Sequence, residues 1–340
     1  MASRKILFII IVIVITVSVL LVYQKNQPSN ELQVQSTVLS SIKPYNSEQI
    51  QPLPVEMILP VEKVDLGRRL FNETGLSKDN TISCSSCHLL NKAGTDRRPV
   101  SIGVNGAAGL LNSPTVFNSA FNFAQFWDGR AATLEEQASG PIHNPVEMGS
   151  NWQEILTRLR ADDGYQTLFK KIYQDGISVD NIVDAIATFE RSLITPNSRF
   201  DQYLRGNKIA LTEDEQQGYQ YFKDYGCISC HQGINIGANM FQRFGVFDGY
   251  FNNKTISQSD LGRFNVTGIE EDRYVFKVPS LRNVAVTAPY FHDGSVSTLE
   301  NAVMIMGRYQ LGRELSEEDI RLLTAFLQSL TGQWQGKLLQ

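Results

Sequence analysis

Two short runs, Cys84-Ser85-Ser86-Cys87-His88 and Cys227-Ile228-Ser229-Cys230-His231, take up all four cysteines and two of the four histidines of this 340-residue chain. Cys-x-x-Cys-His is the attachment signature of c-type haem. The two thiols add across the haem vinyl groups, and the adjacent imidazole is left to ligate iron from the proximal side. The runs lie 143 residues apart (227 minus 84), so the chain has to build two haem pockets from separate stretches of sequence. Paired cysteines also make zinc sites and disulfides. Either reading leaves both histidines unexplained, and four cysteines are few to frame a chain this long. The sequence reads as a redox protein with two covalent haems.

Arg4 and Lys5 precede Ile6 to Tyr23, an 18-residue stretch without a charge. As a helix it would span about 27 Å, close to the hydrocarbon thickness of a bilayer. No small-residue cleavage pattern follows at Tyr23-Gln24-Lys25-Asn26. The expectation is therefore an N-terminal membrane anchor, a transmembrane helix within residues 1–25, with its basic end cytoplasmic. That puts the rest of the chain on the periplasmic side of the bacterial inner membrane. Cleavage to a soluble periplasmic protein is the alternative. Residues 26–51 are rich in Ser, Gln and Asn and read as a flexible tether. A net charge of −4 argues against a nucleic-acid partner.

A weak internal repeat suggests the domain plan. Leu66-Gly67-Arg68-Arg69-Leu70-Phe71 precedes the first haem run, and Gly218-Tyr219-Gln220-Tyr221-Phe222 precedes the second. Downstream of each run lies an amphipathic stretch, Ile182 to Leu193 and Ile320 to Leu330. Each carries Phe four residues before Leu, Phe189/Leu193 and Phe326/Leu330, on one helix face. Ser316 with Asp319 makes a helix start for the second. The spacing predicts a mainly α fold of two cytochrome c-like domains, residues 52–205 and 206–340, each wrapping one haem.

Between and after the two runs, the chain resembles the bacterial dihaem cytochrome c peroxidases. The resemblance covers roughly Leu53 to Gly332. It rests on Asn112-Ser113-Pro114-Thr115-Val116-Phe117-Asn118, Gln125-Phe126-Trp127-Asp128-Gly129-Arg130, Asn144-Pro145-Val146-Glu147-Met148, Leu281-Arg282-Asn283-Val284, and Thr287-Ala288-Pro289-Tyr290-Phe291-His292-Asp293-Gly294. It implies an enzyme that reduces hydrogen peroxide with electrons from a small donor protein, a monohaem cytochrome c or a cupredoxin. In that family Glu147 matches the acid–base carboxylate, Gln137 the distal glutamine, and Trp127 the tryptophan between the haems. Phe126 would be part of an apolar wall. Met306, fourteen residues after His292, matches the axial methionine of the electron-entry haem held by His231, and His88 would hold the peroxidatic haem. Asn112, Thr287 and Pro289 fall on the positions of a calcium site. Homodimer formation is left open by the sequence.

The residues alone keep blander readings alive. Glu147 can be a surface carboxylate, Trp127 simple core packing, Met306 a core filler, and His143 and His292 structural. One departure from the family matters. Many members carry a distal histidine in the loop after the first haem run, but here the position is Val104, and Leu89 to Leu111 contains no His or Met. The first haem is therefore expected to be open at rest, with His143 the remaining candidate ligand. Two other function classes stand beside the peroxidase. One is a MauG-like dihaem oxidase acting on a protein substrate, for which Tyr309 would be the second haem's ligand. The other is a plain dihaem electron carrier.

Overall fold

The computed structural model describes residues 48–340. The fold is mainly helical, as expected. In chain order its α-helices are α1 (Val61–Phe71), α2 (Cys84–Cys87), α3 (Leu134–His143), α4 (Trp152–Arg160), α5 (Asp163–Ile172), α6 (Val179–Ser192), α7 (Arg199–Leu204), α8 (Glu213–Asp224), α9 (Phe264–Thr267), α10 (Leu299–Ile305) and α11 (Glu317–Gln328). Two small antiparallel ribbons complete it. β1 (Phe241–Arg243) pairs with β2 (Val275–Lys277), and β3 (Gln333–Trp334) with β4 (Lys337–Leu338).

Two helix crossings organise the chain. α1 packs on α6, and α8 packs on α11. Each is made close by a glycine: a Cβ at Gly67 would fall on the carbonyl oxygen of Ala185, and one at Gly218 on that of Leu322. Phe71 meets Phe189 edge-on at 5.2 Å, and Phe222 meets Phe326 at 5.1 Å. Phe189, Leu193, Phe326 and Leu330 are all buried, so the shared face read from sequence is a core face. α6 starts three residues before Ile182, because Ser178 caps it, and α11 starts after Ser316, where expected. Ser316 and Asp319 form the anticipated capping box. Gly218→Ala should destabilise the protein toward the upper end of the about 1–3 kcal/mol typical of overpacking, because a main-chain carbonyl cannot rotate aside. Thermal melting of the haem-loaded protein checks this.

A second repeat links the halves, with partners 165 positions apart (283 minus 118). Asn118 and Asn283 have φ of 62° and 63°, Phe126 and Phe291 of 66° and 69°, and Gly129 and Gly294 of 68° and 61°. The bridges Gln125↔Ala131 and Tyr290↔Val296 close the same turn in each half. Thr133 and Thr298 then cap α3 and α10 through their hydroxyls. By this count Trp127 is the counterpart of His292, and Pro141 the counterpart of Met306.

A buried polar seam joins the halves. Asn118 Nδ2 donates to Thr195 Oγ1 at 2.8 Å, and Thr195 N donates to Asn118 Oδ1 at 2.9 Å. Asn283 Nδ2 also donates to Thr195 Oγ1, and its Oδ1 accepts from Gly332 N, both at 2.9 Å. Asn235 Nδ2 donates to Asn122 Oδ1 at 2.7 Å. At the start of the described chain, Gln51 N donates to Gly233 O, and Arg282 Nη2 to Gln51 O.

The membrane-anchored localisation expected above is corrected. Among the described residues no helix is long and apolar enough to cross a membrane. Ile6 to Tyr23, on which the anchor rested, and the expected tether as far as Ser47 lie outside the described residues.

Candidate functional site

Both haem runs are shaped by the local chain. Cys84 and Cys87 fall on α2, one helical turn, whose start is closed by a Ser83–Ser86 capping box. Cys227–Ser229 is a 3₁₀ turn. In each run the histidine N–H donates to the first cysteine's carbonyl at 3.0 Å, His88 to Cys84 and His231 to Cys227. His88 Nδ1 lies 3.2 Å from Gly94 O and His231 Nδ1 3.4 Å from Ile236 O. A carbonyl at Nδ1 keeps the proton there and leaves Nε2 free for a metal. Burial lowers the pKa of His88 and brings His231 down to about 4, so both rings are neutral. Burial pushes the Cys84 thiol up to about 12 and the Cys227 thiol up to about 11. Among the described residues all four cysteines are free, and the one grouping of three metal-type ligands is Asp260, His292 and Asp293.

The second run opens onto a cavity of about 570 Å³. Phe222, Leu281, Leu323 and Leu327 supply apolar walls, and His231 and Met306 both line it. Met306 begins a π-helical turn, Met306–Gln310, directly after α10; such turns often mark functional positions. Met304 is 44% exposed. Tyr309 packs edge-on against Tyr250 at 5.2 Å and is not among the residues lining the cavity. An apolar cavity with a free imidazole nitrogen, a thioether and two thiols fits a covalent haem.

Glu147 is drawn in by the loop that follows the first run. Val104 N donates to Glu147 O at 2.8 Å, and a Cβ at Gly103 would fall on the carbonyl oxygens of Val146 and Glu147. Val104 itself is buried. Asn144 Nδ2 donates to Glu147 Oε1 at 2.6 Å. Burial raises the Glu147 pKa, with Asn144 and then Arg130 pulling the other way. Its charge also raises the Cys87 thiol, after the larger effects of burial and of Asp96, so the carboxyl lies in the neighbourhood of the first haem run. Phe126 abuts Gly140, and the Arg130 guanidinium lies 3.4 Å from the Phe126 ring centre. Gln137 is half-buried on α3, one turn before Pro141. His143 is exposed and meets Trp152 edge-on at 5.9 Å.

Trp127 stands on the cavity wall where the halves meet. Its Nε1 donates to Asn112 O at 2.9 Å, and Lys277 N donates to Trp127 O at 2.7 Å. The buried His292 ring lies 6.5 Å from it and bonds Asp260 Oδ1 through Nε2 at 2.7 Å, the hydrogen-bonding role expected for His292. Asn112, Thr287 and Pro289 line the same cavity. Asn112 Nδ2 donates to Arg98 O and Pro99 O, which leaves its Oδ1 for another partner.

Over 288 residues the chain is 47% identical to cytochrome c551 peroxidase of Nitrosomonas europaea, an alignment covering 84% of this chain and 85% of that one. The chain belongs to the di-haem cytochrome c peroxidase family. Residues 61–209 match the family described as Di-haem cytochrome c peroxidase. Cytochrome c peroxidase Ccp of Escherichia coli is 52% identical over 289 residues, 85% of this chain but 62% of that one, so the chain spans less than two thirds of that relative. A solved MauG-like protein associated with microbial copper homeostasis superposes with a TM-score of 0.73 at 33% identity, over 86% of this chain and 95% of that one. Membership in the di-haem cytochrome c peroxidase family brings two c-type haems, one for each Cys-x-x-Cys-His run. Replacing Cys84 and Cys87 by Ser should remove one haem, and replacing Cys227 and Cys230 the other. Mass spectrometry of the denatured protein reads each loss directly.

Sequence reading missed four groups here. Asn144 stood in a quoted motif without a role, and its Asx turn onto Val146 N, 3.2 Å, was the available signal. Glu190, buried and pushed up to about 8 by that burial, bears on Cys84. Pro141 emerges from the turn repeat, and Lys277 only from burial.

Proposed function

We propose that the chain reduces hydrogen peroxide to water, H₂O₂ + 2 e⁻ + 2 H⁺ → 2 H₂O, with electrons from a small donor protein such as a monohaem cytochrome c or a cupredoxin. The repeated helix crossings and turns support the division into haem-binding halves, 52–205 and 206–340. His88 would hold the haem that supplies a redox-active iron for peroxide, and His231 with Met306 the haem at which electrons enter. The observation that carries the reading is Glu147: its main chain is held by Val104 and its carboxyl by Asn144, near enough to Cys87 to raise that thiol, and burial raises its pKa. Such a group takes a proton from one peroxide oxygen and returns it to the other. Gln137 would orient the peroxide by hydrogen bonding, while Phe126, under the Arg130 guanidinium, limits water. Trp127, bonded to Asn112 in one half and to Lys277 in the other, suits a relay between the halves.

Asn112 Oδ1, Thr287 and Pro289 offer uncharged oxygens from both halves, the kind of donors calcium takes, and we assign them to such a site. The protein-oxidising alternative needs Tyr309 at the second iron, and its packing on Tyr250 speaks against that.

Two features support a first haem that is open at rest. Val104 is buried and tied to Glu147, and the turn repeat puts Pro141, which has no ligating atom, where the other half has Met306. Protein with both haems ferric, mixed with peroxide and a reduced small cytochrome, should therefore turn over without a lag, and its resting electron paramagnetic resonance should show a high-spin first haem. A low-spin bis-nitrogen signal, or a lag abolished by pre-reduction, overturns the open-site reading. Absence of turnover under all conditions overturns the peroxidase itself.

A further inference from the structure

Lys277 has no task in that chemistry. It ends β2, and its backbone is pinned to Trp127. The residue is 7% exposed and lines the same cavity as His231 and Met306. Among the described residues the ammonium makes no hydrogen bond and no ion pair, and burial alone brings its pKa down to about 8. Lysines are almost never fully buried unless paired, because an isolated buried charge is costly.

The rest of the cavity wall sharpens the question. Its charged side chains are Arg243, Lys277 and Arg282, and it has no Asp or Glu. Arg282 is already paired with Asp201 at 2.9 Å. The wall thus offers cationic charge and lacks a carboxylate to meet Lys277, so the missing anion must arrive with the occupant. A haem carries two propionate carboxylates.

We propose that the Lys277 ammonium is the buried counter-ion of a propionate carboxylate of the haem held at His231, and that this pairing raises that haem's reduction potential. The inference rests on the placement of the second haem at His231 and Met306. A cation close to the ring favours the ferrous state, which carries one positive charge fewer. A charge buried away from water acts more strongly than an exposed one, so Lys277 should outweigh the exposed Arg243.

The test uses the two-haem protein and potentiometric titration followed by absorbance. Lys277→Met should shift the ferric–ferrous equilibrium of the second haem about tenfold toward ferric, or about 59 mV for one electron. Lys277→Arg should stay close to wild type, and Arg243→Gln should move less than Lys277→Met. A second-haem potential unchanged in Lys277→Met, with both haems present by mass, overturns the proposal. If Lys277→Met does not load haem, Lys277→Gln and Lys277→Arg decide: equal shifts in the two reject a role for the charge. Misplacement of the second haem would show separately, as a Cys227/Cys230 double variant that keeps the high-potential haem.

Discussion

Glu147→Gln should lower peroxide turnover by about 10²–10⁴-fold while the absorbance of both haems stays near wild type. The amide keeps the size of the side chain and can still bond Asn144, but it cannot accept the proton that leaves peroxide. The effect belongs in kcat/KM for peroxide, since the variant removes a transition-state function rather than a donor-binding surface. The pH profile gives an independent sign. The base form must be ionised, and burial holds its pKa above the ordinary glutamate value. Turnover should therefore fall with decreasing pH at a higher pH than an exposed glutamate would give. That acidic limb should be missing from the residual activity of Glu147→Gln. Near-normal turnover in the variant would leave Glu147 without its assigned role.

Met306→Ala should act on the other half. Loss of a thioether ligand removes the preference for ferrous iron, so the second haem's potential should drop by at least about 59 mV, a tenfold shift for one electron. Turnover with a reduced donor should fall because electron entry becomes uphill, while peroxide cleavage at the first haem in a single turnover is spared. Met304→Ala is the comparison. Two residues earlier on α10 and 44% exposed, it should change neither potential nor turnover. If the two variants behave alike, Met306 is not the ligand.

The parts of this fold that were legible in the sequence share a reason. Cys-x-x-Cys-His is a covalent requirement, and Phe189/Leu193 and Phe326/Leu330 obey helical spacing. Neither depends on distant residues. The turn repeat was written in the sequence, as Phe-x-Asp-Gly-x-x-x-Thr-Leu-Glu at Phe126–Glu135 and again at Phe291–Glu300, but at a spacing of 165 residues it makes no local pattern. Asn118 and Asn283 keep the left-handed φ, whereas the position of Trp127 is taken by His292 in the other copy, that of Gln137 by Ala302 and that of Pro141 by Met306. The shared residues mark the repeat, and the matching dihedral angles show that they build the same turn. Lys277 escaped for another reason: a lysine in a strand is ordinarily solvated, and its burial is decided by a cavity drawn from both halves. Glu147 was found through family likeness, since no local pattern distinguishes it from a loop carboxylate.

The Asn118–Thr195–Asn283 seam bears on how far electrons travel. Two apolar faces can slide by an ångström at little cost, because van der Waals contact is non-directional. Buried amides and hydroxyls tolerate no such slip, since each displaced pair leaves polar atoms unsatisfied. Hydrogen bonds therefore fix the halves in one registration and act as a rigid spacer between the two pockets. Transfer between the haems should keep one tunnelling distance through temperature and salt changes that alter hydrophobic contacts or surface ion pairs.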